Sequence, residues 1–347
     1  MSERELFRPI LVRDALRPFF LDDKALHVLD QRALPIEETW LACDDVEKVA
    51  VAIETLAVRG APAIGGAAAL CLALIARAVP ADIERVLDAA DARLRRTRPT
   101  AVNLFFALDA VRTSWRRARD AGGSARDIAA AVVDAAEKVV LDDEAACAAM
   151  GAHGAALLQD GDVVMTVCHT GALATCGQGT ALGVIKSARA SGKEVRVVAL
   201  ETRPLLQGAR LTAWECMREG IPCTLVTDGM ASFAMKRLGV SKAIAGADRI
   251  ARDGSTANKI GTYNLAVAAK HHGVPLIIVA PSSTFDAAIA TGDGIVIEER
   301  NADEVRTARG TPLAPKDVRV WNPAFDVTPP SLITAWVSER GSVLPPF

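Results

Sequence analysis

The stretch TVCHTGALATCGQGTALGVIKSA, residues 166–188, places two cysteines, a histidine and closely spaced glycines between an apolar run and an amphipathic helical one. Three chemistries compete for it. An apolar strand, then G-x-G-x-x-x-G at 177–183, then Glu201 closing the next apolar run supply parts of a dinucleotide cradle. That fingerprint needs its first glycine in the turn directly after the strand, so that the helix N-terminus meets the pyrophosphate. Here about nine residues intervene, which weighs against it. A metal centre would require Cys168, His169 and Cys176 to converge, yet adjacent residues rarely face one ion and neither C-x-x-C nor H-x-x-H is present. No metal is expected. A reactive thiol is the most economical reading: Cys168 follows a strand at its ligand-binding edge and precedes a helix whose positive N-terminus would favour a thiolate. Cys176 has no such position and reads as packing, and the glycines read as backbone clearance.

Two other clusters carry chemistry. In VRGAPAIGG, 58–66, Arg59 precedes Gly60, and Pro62 opens a helix whose small residues let backbone approach a ligand. TRPTAVN, 97–103, repeats the theme with Arg98. Two arginines at two helix starts suggest an anion. In GADRIARDGSTANKIGTYN, 246–264, Asp248 ends a buried strand. A carboxylate there costs several kcal/mol unless it is paired, hydrogen-bonded or protonated. Protonated, it is a proton donor near neutral pH; the alternative is a capping residue or an ion pair with Arg249. Asn258 and Lys259 are expected at the start of the following helix, supplying donors and a positive charge.

These residues need a scaffold, and the chain has the material for one. It has 347 residues, half of them apolar, and a net charge of -2, so a small-molecule substrate is a better expectation than nucleic acid. Seven cysteines fit no secreted disulfide framework. The start, MSERELFRPILVRD, lacks an apolar signal core, and the Ala-rich run at 63–79 reads as a buried helix rather than a membrane span. A cytoplasmic protein with no membrane partner follows. Residues 1–159 are expected to form a mostly helical N-terminal domain with a small antiparallel sheet from ALHVLDQRALP and ETWLACD. From 160 to 347 the runs DVVMTV, VRVVAL, CTLVT, KAIAG, PLIIVA and IVIEE alternate with helical spans, the pattern of a Rossmann-like, doubly wound parallel α/β sheet. Ligands in such sheets bind beyond the carboxyl ends of the strands, where Cys168, Glu201 to Arg203, Asp228, Asp248 and Pro281 to Ser283 lie.

Taken together, VLDQRALP, VRGAPAIGG, TRPTAVNL, TGALATCGQGTALGVI, ETRPLLQGARLTAWE, DGM, GADRI, NKIGTYNLA and PLIIVAPSSTFD resemble the methylthioribose-1-phosphate isomerases of methionine salvage, relatives of the regulatory subunits of translation initiation factor 2B. The segments run in order from about residue 28 to about residue 286. The resemblance implies catalysis by Cys168 and Asp248. It assigns substrate binding to Arg59, Gly60, Ala61, Arg98, Gln207, Asn258 and Lys259, and it implies a homodimer. Of these, Gln207 comes from the resemblance alone. The implied reaction converts a ring-closed aldose 1-phosphate into the open 1-phosphoketose, with Asp248 opening the ring and Cys168 shuttling or stabilising charge at C1 and C2. No metal or nicotinamide cofactor is needed for either proton or hydride transfer. The chain departs from the usual Thr-His-Cys-Asn by Val167 and His169, and Gln178 is also atypical. These changes leave open a paralogue acting on 5-deoxyribose 1-phosphate or ribose 1,5-bisphosphate, or a factor 2B-like sensing subunit. His169 either orients Cys168 or faces solvent.

Overall fold

A computed structural model describes residues 6–12, 15–99 and 101–344. The chain forms two compact units, 1–147 with 172–179, and 148–171 with 180–347.

In the first unit, β1 (Phe19–Leu21), β2 (Leu26–Leu29) and β3 (Trp40–Cys43) form an antiparallel sheet in that order. Phe19, Leu21, Leu26 and Val28 are buried, while His27 stands between the last two and is only partly covered, as the period of a strand requires. Helix α1 (Val46–Glu54) starts where Asp45 accepts the Lys48 N–H at 2.8 Å. Helix α2 (Ala61–Arg77) carries Pro in its first turn and is buried on nearly every face, as the Ala-rich run at 63–79 foretells. Around it stand α3 (Ile83–Arg95), α4 (Val102–Asp120) and α5 (Ala125–Ala155). Gly65 lets α2 meet α4 closely, since a Cβ there would lie 2.7 Å from the Asn103 carbonyl oxygen. Among the described residues no helix is long and apolar enough to cross a membrane.

The second unit is built on a seven-stranded sheet. Its strands are β4 (Val163–Thr166), β5 (Arg196–Leu200), β6 (Cys223–Val226), β7 (Lys242–Ala245), and, beyond β8 (Arg249–Ala251) and β9 (Thr256–Lys259), β10 (Leu276–Val279). After β11 (Phe285–Asp286), the β12–β13 hairpin (Thr307–Ala308, Thr311–Pro312) and β14 (Phe325–Thr328), it is completed by β15 (Ala335–Ser338) and β16 (Gly341–Val343). The order is β16-β15-β10-β7-β4-β5-β6, parallel except at β16. Strands β4, β10 and β15 are buried along their whole length, which is why they are continuous apolar runs. Chain order proceeds from β4 through β5 to β6 on one side and from β7 through β10 to β15 on the other. The order therefore reverses between β4 and β7, the switch point at which doubly wound sheets bind ligands. Helices α6 (Ala181–Ala190), α7 (Ala213–Arg218), α8 (Ala231–Arg237), α9 (Thr262–His271) and the short α10 (Asp303–Arg306) complete the unit. A second sheet has the order β11-β8-β9-β14.

Two expectations about elements fail. IVIEE at 295–299 is not a sheet strand; Val296 is exposed, and Glu299 makes only an isolated bridge to Pro323. The place beside β10 goes to AWVS, whose Trp336 supplies the buried bulk that a strand with two terminal glutamates lacks. Asn258 and Lys259 end strand β9, and α9 begins only at Thr262 after Gly261 turns the chain at φ 102°. The pairing of β9 with β14, Lys259 opposite Phe325 and Asn258 opposite Asp326, overrides the local helical pattern.

Candidate active site

Cys168 lies two residues past the end of β4, at the switch point, and is buried in a left-handed backbone conformation at φ 63°. For a residue with a Cβ this costs about 1–2 kcal/mol, so the surroundings must hold it. Two threonines do so. The Cys168 N–H donates to Thr202 Oγ1 at 2.7 Å, and its carbonyl accepts from Thr212 Oγ1 at 2.7 Å. Thr202 is itself left-handed at φ 64°, as is Leu206 at 58°. The Thr202 and Arg203 N–H groups donate to the two oxygens of Asp228, past the end of β6. Strained residues thus gather at the carboxyl ends of neighbouring strands, which is where function uses them.

Thr212 ends a π-helical turn, Gly208–Thr212, of the kind common at functional sites. Gly208 makes it possible: a Cβ there would be driven into the Leu200 carbonyl. Gln207 opens the turn with 4% of its surface exposed, and among the described residues its side-chain oxygen is buried without a hydrogen-bond partner. A buried acceptor in that condition is open to a donor from a ligand or an ordered water.

His169 is fully buried, not solvent-facing. Its Nδ1 is 3.1 Å from Thr212 Oγ1 and its Nε2 is 3.0 Å from Glu215 Oε2. Lys186 Nζ holds the other Glu215 oxygen at 2.7 Å. Burial alone would push the Glu215 carboxyl up, but the charges of Lys186 and then His169 outweigh it and hold it at about 2. Lys186 is raised in turn: burial works against its charge, and Glu215 overcomes it. The expected helix does not follow Cys168 directly. A 3₁₀ turn, Ala172–Ala174, intervenes, α6 starts at Ala181, and the Leu182 N–H is already taken by Thr170 Oγ1 at 3.2 Å.

Asp248 sits three residues past β7, on the other side of the switch point, and is half-buried. Its loop abuts that of Cys168, because a Cβ on Gly246 would lie 3.0 Å from Thr170 Cγ2. The Asp248 N–H donates to the Ala257 carbonyl at 2.9 Å, which seats Asp248 beside Asn258. Asn258 Nδ2 donates to Thr262 Oγ1 at 2.9 Å. Lys259 Nζ donates to the Ala324 carbonyl at 2.8 Å and lies over the Phe325 ring, 4.6 Å from its centroid. Arg249, the alternative partner considered for Asp248, reaches Asp286 at 3.6 Å. Asp326 accepts the Gly261 and Tyr263 N–H groups at the head of α9; burial pushes its carboxyl up to about 6. Val167 touches this same turn, 3.8 Å from where a Gly261 Cβ would stand. In the second unit, therefore, Cys168 and Asp248 flank the switch point, Gln207 heads the turn beside Cys168, and Asn258 with Lys259 follows Asp248.

Arg59, Gly60, Ala61 and Arg98 belong to the first unit. Gly60 turns the chain into α2 at φ 101°, and a Cβ there would lie 2.6 Å from Ala174 Cα. Its lack of a side chain accommodates the 3₁₀ turn's backbone. Gln31 fixes that turn by donating to the Leu173 carbonyl at 2.9 Å. Ala61 starts α2, and Arg59 and Arg98 are half-buried. Cys176 is packing, as expected: it is wholly buried, its N–H is held by Asp143 at 2.7 Å, and burial raises its thiol far above the ordinary value. The residues that escaped sequence reading are Thr212, Glu215 and Lys186, and sequence places Thr202 only as part of a strand end. Thr212 and Glu215 stand three apart on one helical face, which is a signal, but their burial is not legible locally.

The chain matches the model of the initiation factor 2 subunit family over residues 57–346. It is 50% identical to the methylthioribose-1-phosphate isomerase of Syntrophotalea carbinolica over 338 residues, covering 95% of this chain and 96% of that protein. To the protein of the same name in Alcanivorax borkumensis it is 53% identical, covering 92% and 91%. The crystal structure of 5-methylthioribose 1-phosphate isomerase from Pyrococcus horikoshii superposes with a TM-score of 0.91 at 40% identity, over 100% of this chain and 96% of that one. A structure described as translation initiation factor eIF-2B, subunit delta, from A. fulgidus gives 0.85 at 45% identity, over 96% and 97%.

Proposed function

This chain belongs to the initiation factor 2 subunit family and, within it, to the methylthioribose-1-phosphate isomerases, and on that premise we propose that it converts 5-methylthioribose 1-phosphate to 5-methylthioribulose 1-phosphate in methionine salvage. The observation that supports the chemistry is the placement of Cys168 and Asp248 after the adjacent strands β4 and β7, on either side of the switch point, the cysteine held in a costly backbone conformation by two buried threonines.

In this reading Asp248 delivers a proton to the ring oxygen, which frees C1 as an aldehyde-level carbon, and Cys168 assists the net transfer of hydrogen from C2 to C1. Gln207, Asn258 and Lys259 bind substrate; the bond from Lys259 to Ala324 and its place over Phe325 keep its charge in a fixed position. The motif match assigns Arg59, Gly60, Ala61 and Arg98 to substrate binding as well, and a cationic guanidinium suits a phosphate. No nucleic acid or membrane partner and no metal or cofactor enter this reading, and the cytoplasm suits a salvage enzyme. The division into a helical domain, 1–159, and a catalytic domain, 160–347, goes with it. A homodimer is supported by the exposed Leu225 on edge strand β6 and by Met230, Phe233, Tyr263 and Val267 on and around α8 and α9.

Purified protein supplied with methylthioribose 1-phosphate or 5-deoxyribose 1-phosphate, without cofactor, tests the reading. Turnover of the methylthio sugar is expected. Preference for the deoxy sugar or for ribose 1,5-bisphosphate identifies a paralogue, and binding without turnover a sensor. Cys168→Ser and Asp248→Asn should each lose turnover by about 100-fold or more while still binding the sugar phosphate. Near-normal turnover in either would remove that residue from its role.

A further inference from the structure

We propose that His169 is a positioning residue, held as an imidazolium, which fixes the backbone of Cys168 through the hydroxyl of Thr212. The proposal rests on the isomerase reading only for its catalytic consequence; the geometry stands without it.

A threonine hydroxyl has one proton to give. Thr212 directs it to the Cys168 carbonyl at 2.7 Å. Toward His169 Nδ1, 3.1 Å away, Thr212 can therefore only accept, so Nδ1 carries a hydrogen. The other ring nitrogen, Nε2, is at ion-pair distance, 3.0 Å, from Glu215 Oε2, though not aligned for a hydrogen bond, with both side chains at 0% exposure. Lys186 at 2.7 Å keeps that carboxylate ionised from its other oxygen. A bare Nε2 lone pair facing a buried carboxylate would be repulsive with no water to screen it, so Nε2 carries a hydrogen as well. Both nitrogens protonated make an imidazolium. The charges around it are Glu215 on α7, Lys186 on α6, and Glu219, 3.3 Å from Lys186.

The chain of contacts runs from Lys186 through Glu215, His169 and Thr212 to the Cys168 carbonyl. The loop is moulded onto its anchor: a Cβ on Gly171 would lie 2.5 Å from Glu215 Cδ, so the backbone after His169 presses directly on the carboxylate. Thr202 holds the Cys168 N–H and Thr212 its carbonyl, so losing either releases the left-handed conformation that aims the thiol.

The resting protein tests this directly. Cys168-His169 is the single Cys-His step in the chain, so carbonyl-labelled cysteine with nitrogen-labelled histidine assigns its backbone unambiguously and gives entry to the ring by NMR. Both ring nitrogens are expected to stay protonated from about pH 6 to about pH 9, beyond the range in which an ordinary histidine deprotonates. One unprotonated nitrogen at neutral pH overturns the imidazolium. Alkylation of Cys168, followed by peptide mass spectrometry, should change in rate in His169→Gln and Thr212→Val and return to the parent rate in Thr212→Ser. In the isomerase assay Thr212→Val should lower kcat by up to about 100-fold with KM little changed. An unchanged alkylation rate and an unmoved kcat in Thr212→Val would overturn the positioning role. If no isomerase turnover exists, the NMR and alkylation results still decide the proposal.

Discussion

Replacing Glu215 by Gln keeps the side chain's size and removes the one negative charge between Lys186 and His169. Glu215 is wholly buried, and burial alone would raise its carboxyl; Lys186 and then His169 overcome that and bring it from 4.5 down to about 2. At about 1.36 kcal/mol per pKa unit, this depression corresponds to about 3 kcal/mol favouring the folded, ionised form. Because the folded value lies below the unfolded one, the stabilisation is complete above about pH 4.5 and is lost as pH falls towards about 2. Glu215→Gln should therefore lose about 3 kcal/mol at neutral pH, with the Lys186 ammonium left buried beside a neutral amide. Urea unfolding of the intact chain, followed by the fluorescence of Trp214 and the other tryptophans, measures it. The gap from the parent protein should narrow by about 1 kcal/mol per pH unit below about pH 4.5. A loss under about 1 kcal/mol at neutral pH, or a gap that acid does not narrow, would refute the argument that Glu215 is an ionised anchor.

Two other perturbations probe the scaffold of the site. Gly60→Ala and Gly208→Ala each drive a Cβ into backbone, Ala174 in the first case and Leu200 in the second, and Gly60 is also at φ 101°. Both should fold with a thermal midpoint lowered by several degrees or accumulate as insoluble chain, whereas Gly192→Ala, open to solvent but also at positive φ, should show the backbone cost alone. Asp143 is buried, and this pushes its carboxyl up to about 6 from 3.8 despite its hydrogen bond from the Cys176 N–H. A raised acid stabilises the fold below its unfolded value and loses that contribution as pH rises to about 6. Asp143→Asn should remove that fall from the stability profile between about pH 4 and about pH 6, measured by thermal melts across pH; an unchanged profile contradicts it.

Local pattern was enough for much of this molecule. The helices from Val46 to Ala155 follow from apolar periodicity with Asp45 and Pro62 at the starts, because capping and facing are decided within a few residues. The strands β4, β5, β7 and β10 could be placed because burial on both faces demands unbroken apolar runs, and the edge strand β6 from its short β-branched run. From those strands alone, Cys168 and Asp248 could be set at strand ends. What local pattern could not decide depended on partners distant in the chain. Strand β9 exists because residues 325–328 come back to pair with it, and β15 displaces 295–299 because Trp336 fills the core beside β10. The left-handed turn at Cys168 requires threonines 34 and 44 residues away. His169 is ambiguous as a letter in the sequence, and only the tertiary structure shows it buried against Glu215 rather than facing solvent. Sequence determines which groups are present and which strand ends they occupy; tertiary structure determines which of them are dry, since desolvation, charge pairing and strain are all properties of the company a residue keeps.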